Sequence, residues 1–135
     1  MSDTFEWKDE YCVGEEILDN QHKYMFEQGN RITTLQPEET KRLIIDLYRY
    51  IMQHFTTEEA HMTAIGYPGV DKHRQQHEFI IDQLDKMLSG FIPDPRNTLK
   101  LKLFLFNWLT THILREDKKY FDFANATKLA SELKK

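Results

Sequence analysis

The sequence has a single cysteine, Cys12, so no internal disulfide can form, and this favours a reducing compartment. Only 5 glycines and 4 prolines occur in 135 residues, and none builds a glycine-rich phosphate loop. No uncharged apolar stretch is long enough to span a bilayer, and the acidic N-terminal residues lack the apolar run of a secretory signal. We therefore expect a cytoplasmic protein without membrane insertion.

Basic side chains are also in deficit. The chain has 18 Lys and Arg against 22 Asp and Glu, which gives a formal net charge of −4. This charge argues against nucleic acid or an anionic membrane as a partner, because both select for basic surfaces. The length of 135 residues fits one domain spanning residues 1–135. We expect a monomer, because no second large apolar face is evident.

The apolar residues recur at helical spacing and show no strand alternation, which predicts an all-α protein. Short turns between long amphipathic helices favour an up-down-up-down antiparallel four-helix bundle, preceded by a non-helical N-terminal arm and followed by a short C-terminal helix. The predicted starts are Asp19 or Asn20 for the first helix, Pro37 for the second, Val70 for the third and Thr98, capped by Asn97, for the fourth. The predicted ends of the last three are Gly66, Ser89 and Lys119.

Most of the histidines fall on faces of these helices that also hold core residues. Residues four apart on a helix project from one face, one turn apart. Buried imidazoles and carboxylates are costly without partners, and a metal ion satisfies several of them at once. Two such pairs, and one further imidazole on each of the two remaining helices, predict a metal site between all four helices. The pairs are His54 with Glu58 and His73 with His77, and the single imidazoles are His22 and His112.

With their neighbours, these residues resemble the hemerythrin signature. The motifs are LDNQH ending at His22, HFTTEE from His54, His-x-x-x-His from His73 after GYPG, and HILRED from His112. The N-terminal arm, W…Y…G…I…DNQH, is similar to that of single-domain bacteriohemerythrins, so the resemblance covers nearly the whole chain. Each pair is a weak signal alone, whereas the ordered set with its short-range spacings is specific.

The resemblance implies a non-heme di-iron centre that cycles between Fe²⁺ and Fe³⁺ and carries an oxo or hydroxo bridge. Five histidines, two bridging carboxylates and the bridging oxygen would fill all but one of the roughly twelve coordination positions of two octahedral iron ions. The open position, on the iron with fewer histidines, is then available to dioxygen, so the implied function is reversible oxygen binding for storage, transport or delivery rather than enzymatic catalysis. The implied ligands are His73, His77 and His112 on one iron, His22 and His54 on the other, and Glu58 and Asp117 as bridges.

The position of Asp117 leaves one alternative open. Five residues after His112 is about 140° around an ideal helix, whereas Glu116, at four residues, lies closer to the same face. The family spacing favours Asp117, and a local widening of the helix or a reaching carboxylate would reconcile it with the site.

Two further residues are expected outside the ligand set. His61 lies two turns after His54 on nearly the same stripe, but it has no counterpart among the implied ligands. Glu58 and His61 also spell Glu-x-x-His, a motif that ferritin-like di-iron proteins need twice, and no second copy occurs here. Cys12 is expected to be a small packing residue.

Three other functions remain open at this point: an oxygen or redox sensor acting through a partner protein, a di-iron enzyme acting on nitric oxide or peroxide, and a site that holds zinc. Five imidazoles with two bridges suit octahedral ions better than tetrahedral zinc. Reversible oxygen binding also requires an apolar wall around the metals. The expected wall residues are Met25, Phe26, Ile51, Phe55, Ile80, Leu109, Ile113 and Leu114.

Overall fold

The computed structural model describes residues 5–12 and 16–133, with side chains described as far as residue 128, and within these ranges it is helical without strands. A 3₁₀ turn, Asp9–Tyr11, lies in the N-terminal arm. The main helices are α1 (Glu16–Arg31), α2 (Pro37–Ala64), α3 (Val70–Leu88), α4 (Pro95–His112) and α5 (Lys118–Leu133). The π-helical turn Ile113–Asp117 joins α4 directly to α5.

Contacts between elements give the topology. Helix α1 packs against α2 and α4, and α2 packs against α3. Glu58, near the end of α2, lies beside His73, near the start of α3, so these two helices are antiparallel. His22 near the start of α1 meets His54 in the second half of α2, so this pair is antiparallel too. The predicted all-α antiparallel bundle is confirmed.

Helix ends follow local chemistry. Pro37 occupies the first turn of α2, where its missing N–H costs nothing. Gly66 and Gly90 have positive φ angles of 72° and 66° and follow α2 and α3, as expected for glycines that end helices. None of the described helices is long and apolar enough to cross a bilayer.

Two predicted helix starts are wrong. Helix α1 begins at Glu16, earlier than the predicted Asp19 or Asn20. Helix α4 begins at Pro95, and Asp94 is its N-cap, accepting a hydrogen bond from the backbone N–H of Asn97 at 2.7 Å. The Asp-Pro pair explains the second error, because it supplies both a strong cap and a favoured first residue.

The predicted end of the fourth helix near Lys119 is wrong, because α4 ends at His112, whereas the predicted C-terminal helix is present as α5 and begins at Lys118. The helical path continues from Pro95 through the π turn to Leu133. No glycine or proline follows Pro95 in the sequence, so nothing interrupts it.

The sequence also predicts that the N-terminal arm packs against the bundle through Phe5, Trp7, Tyr11 and Val13, and the arm does pack there. The Phe5 ring stacks on Phe106 with centroids 4.2 Å apart, and Asn30 hydrogen-bonds both the N–H and the C=O of Phe5. Tyr11 is buried against Phe26, whereas Val13, also expected to pack here, lies outside the described residues. Cys12 is exposed, so the expectation of a packing role is wrong.

Candidate metal centre

The bundle brings ligand-type side chains from α1, α2, α3, α4 and the π turn to one buried point. Their relative exposures run from 0% to 7%, and each of the five imidazoles directs Nε2 toward the others. The ligand atoms form two groups that could each hold a metal ion, and Glu58 belongs to both. The converging residues are His22, His54, Glu58, His73, His77, His112 and Asp117.

One group contains three histidines, which we call the three-histidine half: His73, His77 and His112. The Nε2 atom of His112 lies 3.0 Å from that of His73 and 3.2 Å from that of His77. Metal–ligand bonds of about 2.1 Å in an octahedral site put neighbouring ligand atoms about 3.0 Å apart. The spacing of the imidazoles therefore fits one face of an octahedron.

The other group contains His22 and His54, which we call the two-histidine half. Their Nε2 atoms are 3.1 Å apart, and the rings meet edge to face with centroids at 4.8 Å. This half therefore offers two imidazole nitrogens at the same octahedral spacing.

Glu58 lies between the halves. Its Oε1 atom is 2.8 Å from His73 Nε2 and 3.2 Å from His77 Nε2, whereas Oε2 is 3.4 Å from His54 Nε2. Each of its oxygens therefore faces a different half.

The carboxylate of Asp117 also places one oxygen toward each half. Its Oδ1 atom is 3.1 Å from the Nε2 atoms of His73 and His112, and Oδ2 is 3.3 Å from His22 Nε2. Two carboxylates that each place one oxygen toward each half have the geometry of bridges between two cations.

The π turn explains how Asp117 reaches this point. A π turn has more residues per turn than an α-helix, so the fifth residue after His112 returns to the inner face. Asp117 is 0% exposed, whereas the side chain of Glu116 is 22% exposed and pairs with Lys119 at 3.7 Å. Of the two explanations left open by the spacing, the structure shows the local widening, and Asp117 rather than Glu116 joins the cluster.

Two residues outside the predicted set hold the rings in place. His54 Nδ1 donates to Gln21 Oε1 at 2.6 Å, and His77 Nδ1 donates to Glu59 Oε2 at 2.9 Å. Such bonds fix the tautomer that leaves Nε2 free to bind a metal. Spacing along one helix gave no signal for either residue, because each bonds an imidazole on a neighbouring helix.

The cluster shifts its own protonation in the metal-free protein. Burial lowers the pKa of His73, but its close contacts with the carboxylates of Asp117 and Glu58 outweigh burial and raise that pKa to about 9. For both carboxyls, burial raises the pKa, yet contacts with the surrounding imidazoles leave it well below its ordinary value. The metal-free centre is thus an ion cluster of imidazolium and carboxylates.

The two histidines of the two-histidine half differ in the direction of their pKa shifts. Burial lowers the pKa of His54, and the opposing contact with Glu58 does not restore it. Burial acts in the same direction on His22, but the close contact with the Asp117 carboxylate raises its pKa overall. One imidazole of this pair therefore holds a proton more readily than the other.

The donor set fits bound cations better than a metal-free core. Glu58 Oε2 and both carboxylate oxygens of Asp117 are buried without a hydrogen-bond partner in the described structure, although imidazole nitrogens lie close to them. Unsatisfied buried carboxylate oxygens are costly, and metal ions would satisfy them together with the converging nitrogens. Imidazole and carboxylate are ligands that suit iron and other first-row transition metals.

The remaining sequence predictions at the site have mixed outcomes. His61 is exposed and meets Tyr120 edge-on, with ring centroids 5.5 Å apart, outside the cluster. Seven of the eight expected wall residues are buried. Leu114 is 38% exposed, so its place in the wall is wrong: two residues after His112, it points to the opposite side of the helix.

Comparisons with known proteins agree with this geometry. A family model described as the hemerythrin HHE cation binding domain matches residues 13–124. A bacteriohemerythrin of Clostridium acetobutylicum is 29% identical over 128 residues, covering 87% of this chain and 99% of that protein. One of Stenotrophomonas maltophilia is 29% identical over 124 residues (89% and 81%), and one of Campylobacter jejuni is 30% identical over 115 residues (79% and 85%). The chain belongs to the hemerythrin family.

Proposed function

We propose that this protein binds dioxygen reversibly at a pair of non-heme iron ions and serves in oxygen storage, transport or delivery. The observation that carries the proposal is that the carboxylates of Glu58 and Asp117 each place one oxygen toward each half of the cluster. A single-metal site has no use for two carboxylates arranged in this way. Family membership supports iron as the metal.

In this proposal, the ligands follow the two halves of the cluster. The three histidines and the two carboxylates would offer five ligand atoms to one iron. Two histidines and the same carboxylates would offer four to the other, so that a bridging oxygen would leave one position open there. The proposed ligands are His73, His77 and His112 for the first iron, His22 and His54 for the second, and Glu58 and Asp117 for both.

When bound, a ferrous pair would supply the electrons for reversible dioxygen binding. The chain's own side chains must then keep water and protons away from the open position. Met25 and Phe26 lie one turn from His22, and Ile51 lies one turn from His54, with exposures of 1%, 2% and 1%. We expect these apolar neighbours, which have no proton to donate, to exclude water from the open position and so to favour release of oxygen over its irreversible reduction.

The test is anaerobic ferrous reconstitution, followed by titration with oxygen and then degassing, read by visible absorption with iron counted per chain. We expect two irons and a coloured adduct that bleaches on degassing. Immediate oxidation without a reversible adduct would contradict oxygen carriage and favour sensing. Multiple turnover with nitric oxide or peroxide under a reductant would indicate an enzyme, and uptake of zinc in place of iron would refute the metal assignment.

A matched pair of variants on α2 links the result to the cluster. His54→Gln removes an imidazole from the two-histidine half, whereas His61→Gln removes an exposed imidazole two turns away. We expect the first variant to lose iron and the reversible adduct, and the second to keep both. Equal behaviour of the two variants would refute the proposed site.

A further inference from the structure

We propose that Glu59 makes the two halves of the cluster electronically unequal, by placing a negative charge behind His77 and so favouring the ferric state in the three-histidine half. In this role Glu59 is a positioning residue that acts through His77. The inference rests on the proposed di-iron function and adds a determinant of how readily the centre is oxidised.

Glu59 is built into a chain of polar contacts that leads from the surface to the cluster. Its Oε2 atom accepts the Nδ1–H of His77 at 2.9 Å, and its Oε1 atom accepts from Arg74 Nε at 3.1 Å. Arg74 in turn donates to Asp71 at 2.9 Å. The side chain of Glu59 is 20% exposed, so its charge lies close to the protein interior.

The corresponding partner in the two-histidine half is neutral. His54 Nδ1 donates to the side-chain amide oxygen of Gln21 at 2.6 Å. The Nδ1 atoms of His22 and His73 are buried without a hydrogen-bond partner in the described structure. The described contacts thus give each half one oriented imidazole, but only the three-histidine half has a carboxylate in that position.

The difference matters because an imidazole that donates Nδ1–H to a carboxylate is a more basic ligand through Nε2. A more basic ligand stabilises the more highly charged ferric ion. An amide oxygen fixes the ring equally well but adds no charge. The two-histidine half, which has the open position, therefore keeps the neutral Gln21 behind its imidazole. In the three-histidine half, the charge of Glu59 stabilises the ferric ion.

Charge and orientation can be separated at this site. The His77 ring also stacks on Phe55, with centroids 3.7 Å apart and an interplanar angle of 5°. Glu59→Gln keeps a side-chain oxygen that can accept from His77 and leaves the stack untouched. This substitution therefore removes the charge while the ring remains oriented.

The first test is potentiometric titration of the iron-loaded protein and three variants. Glu59→Gln should shift the ferrous-to-ferric ratio at a fixed applied potential about tenfold toward ferrous, equivalent to about 59 mV. Gln21→Glu should shift it toward ferric. Glu78→Gln, which removes an exposed carboxylate next to His77 in sequence, is the control and should leave the ratio unchanged.

A second readout does not depend on iron. In the metal-free protein, ¹⁵N NMR should show His77 protonated at Nδ1, with slow exchange of that proton in the parent chain and in Glu59→Gln, and fast exchange in Glu59→Ala.

The outcomes separate the two proposals. Equal potentials for Glu59→Gln and Glu78→Gln, or rapid exchange of the His77 proton in the parent chain, would overturn the role of Glu59. Failure to bind iron with a normal NMR result would instead count against the di-iron function.

Discussion

Replacing Asp117 by Asn in the metal-free protein should destabilise the fold by about 3 kcal/mol. Asp117 is 0% exposed and lies 3.1 to 3.3 Å from three imidazole nitrogens. Removing one partner from a buried ion pair costs about 3–5 kcal/mol. The lower end applies, because Asn still offers one acceptor and the change relieves repulsion between Asp117 and Glu58.

The matched control is Glu116→Gln. Glu116 is partly exposed, and its pairing with Lys119 at 3.7 Å is worth at most about 1 kcal/mol. Urea unfolding in the presence of a chelator measures both changes, and a loss of 3 kcal/mol corresponds to a Tm lowered by roughly 10 °C. Equal losses for the two variants, or a larger loss for Glu116→Gln, would refute the assignment of Asp117 to the buried cluster.

Four further predictions follow from other contacts in the structure. The pKa of His73 is about 9, so a metal ion must displace the proton of His73 in order to bind. Metal uptake should therefore release protons and weaken as pH falls, and titration with metal in the presence of a pH-indicator dye would detect the released protons. The same raised pKa means that the stability of the metal-free protein falls as pH rises from 6.5 through 9, measurable by urea unfolding at each pH. A Cβ at Gly29 would lie 3.0 Å from the Phe106 ring, so Gly29→Ala should cost about 1 kcal/mol net of its helix-propensity gain, with a lowered urea midpoint as the readout. Asp94→Ala removes the cap of α4 and should cost about 1 kcal/mol by thermal unfolding, whereas an unchanged Tm would contradict the capping role.

Spacing along single helices predicted much of the cluster. The four-residue intervals, His54 to Glu58 and His73 to His77, place two donors on one face whatever the details of packing. The predicted starts at Pro37 and Val70 hold because proline and the Tyr-Pro-Gly turn act locally. Contacts between helices were beyond such reasoning, so Gln21 and Glu59 were missed.

Errors concentrate where tertiary structure changes the local helix. The π turn brings Asp117 inward and lets the helix continue to Leu133, and no residue in that segment is a recognised start or stop signal. Leu114 was included in the apolar wall as one of the apolar residues at helical offsets from the ligands, but it lies on the outer face.

The most direct test of the central claim is an anomalous-diffraction map of the iron-loaded protein at the iron edge. We predict two iron peaks per chain about 3.5–4 Å apart, with Glu58 and Asp117 each placing one oxygen on each iron. A single peak, or a carboxylate of Glu116 on the metals in place of Asp117, would contradict the bridged di-iron centre.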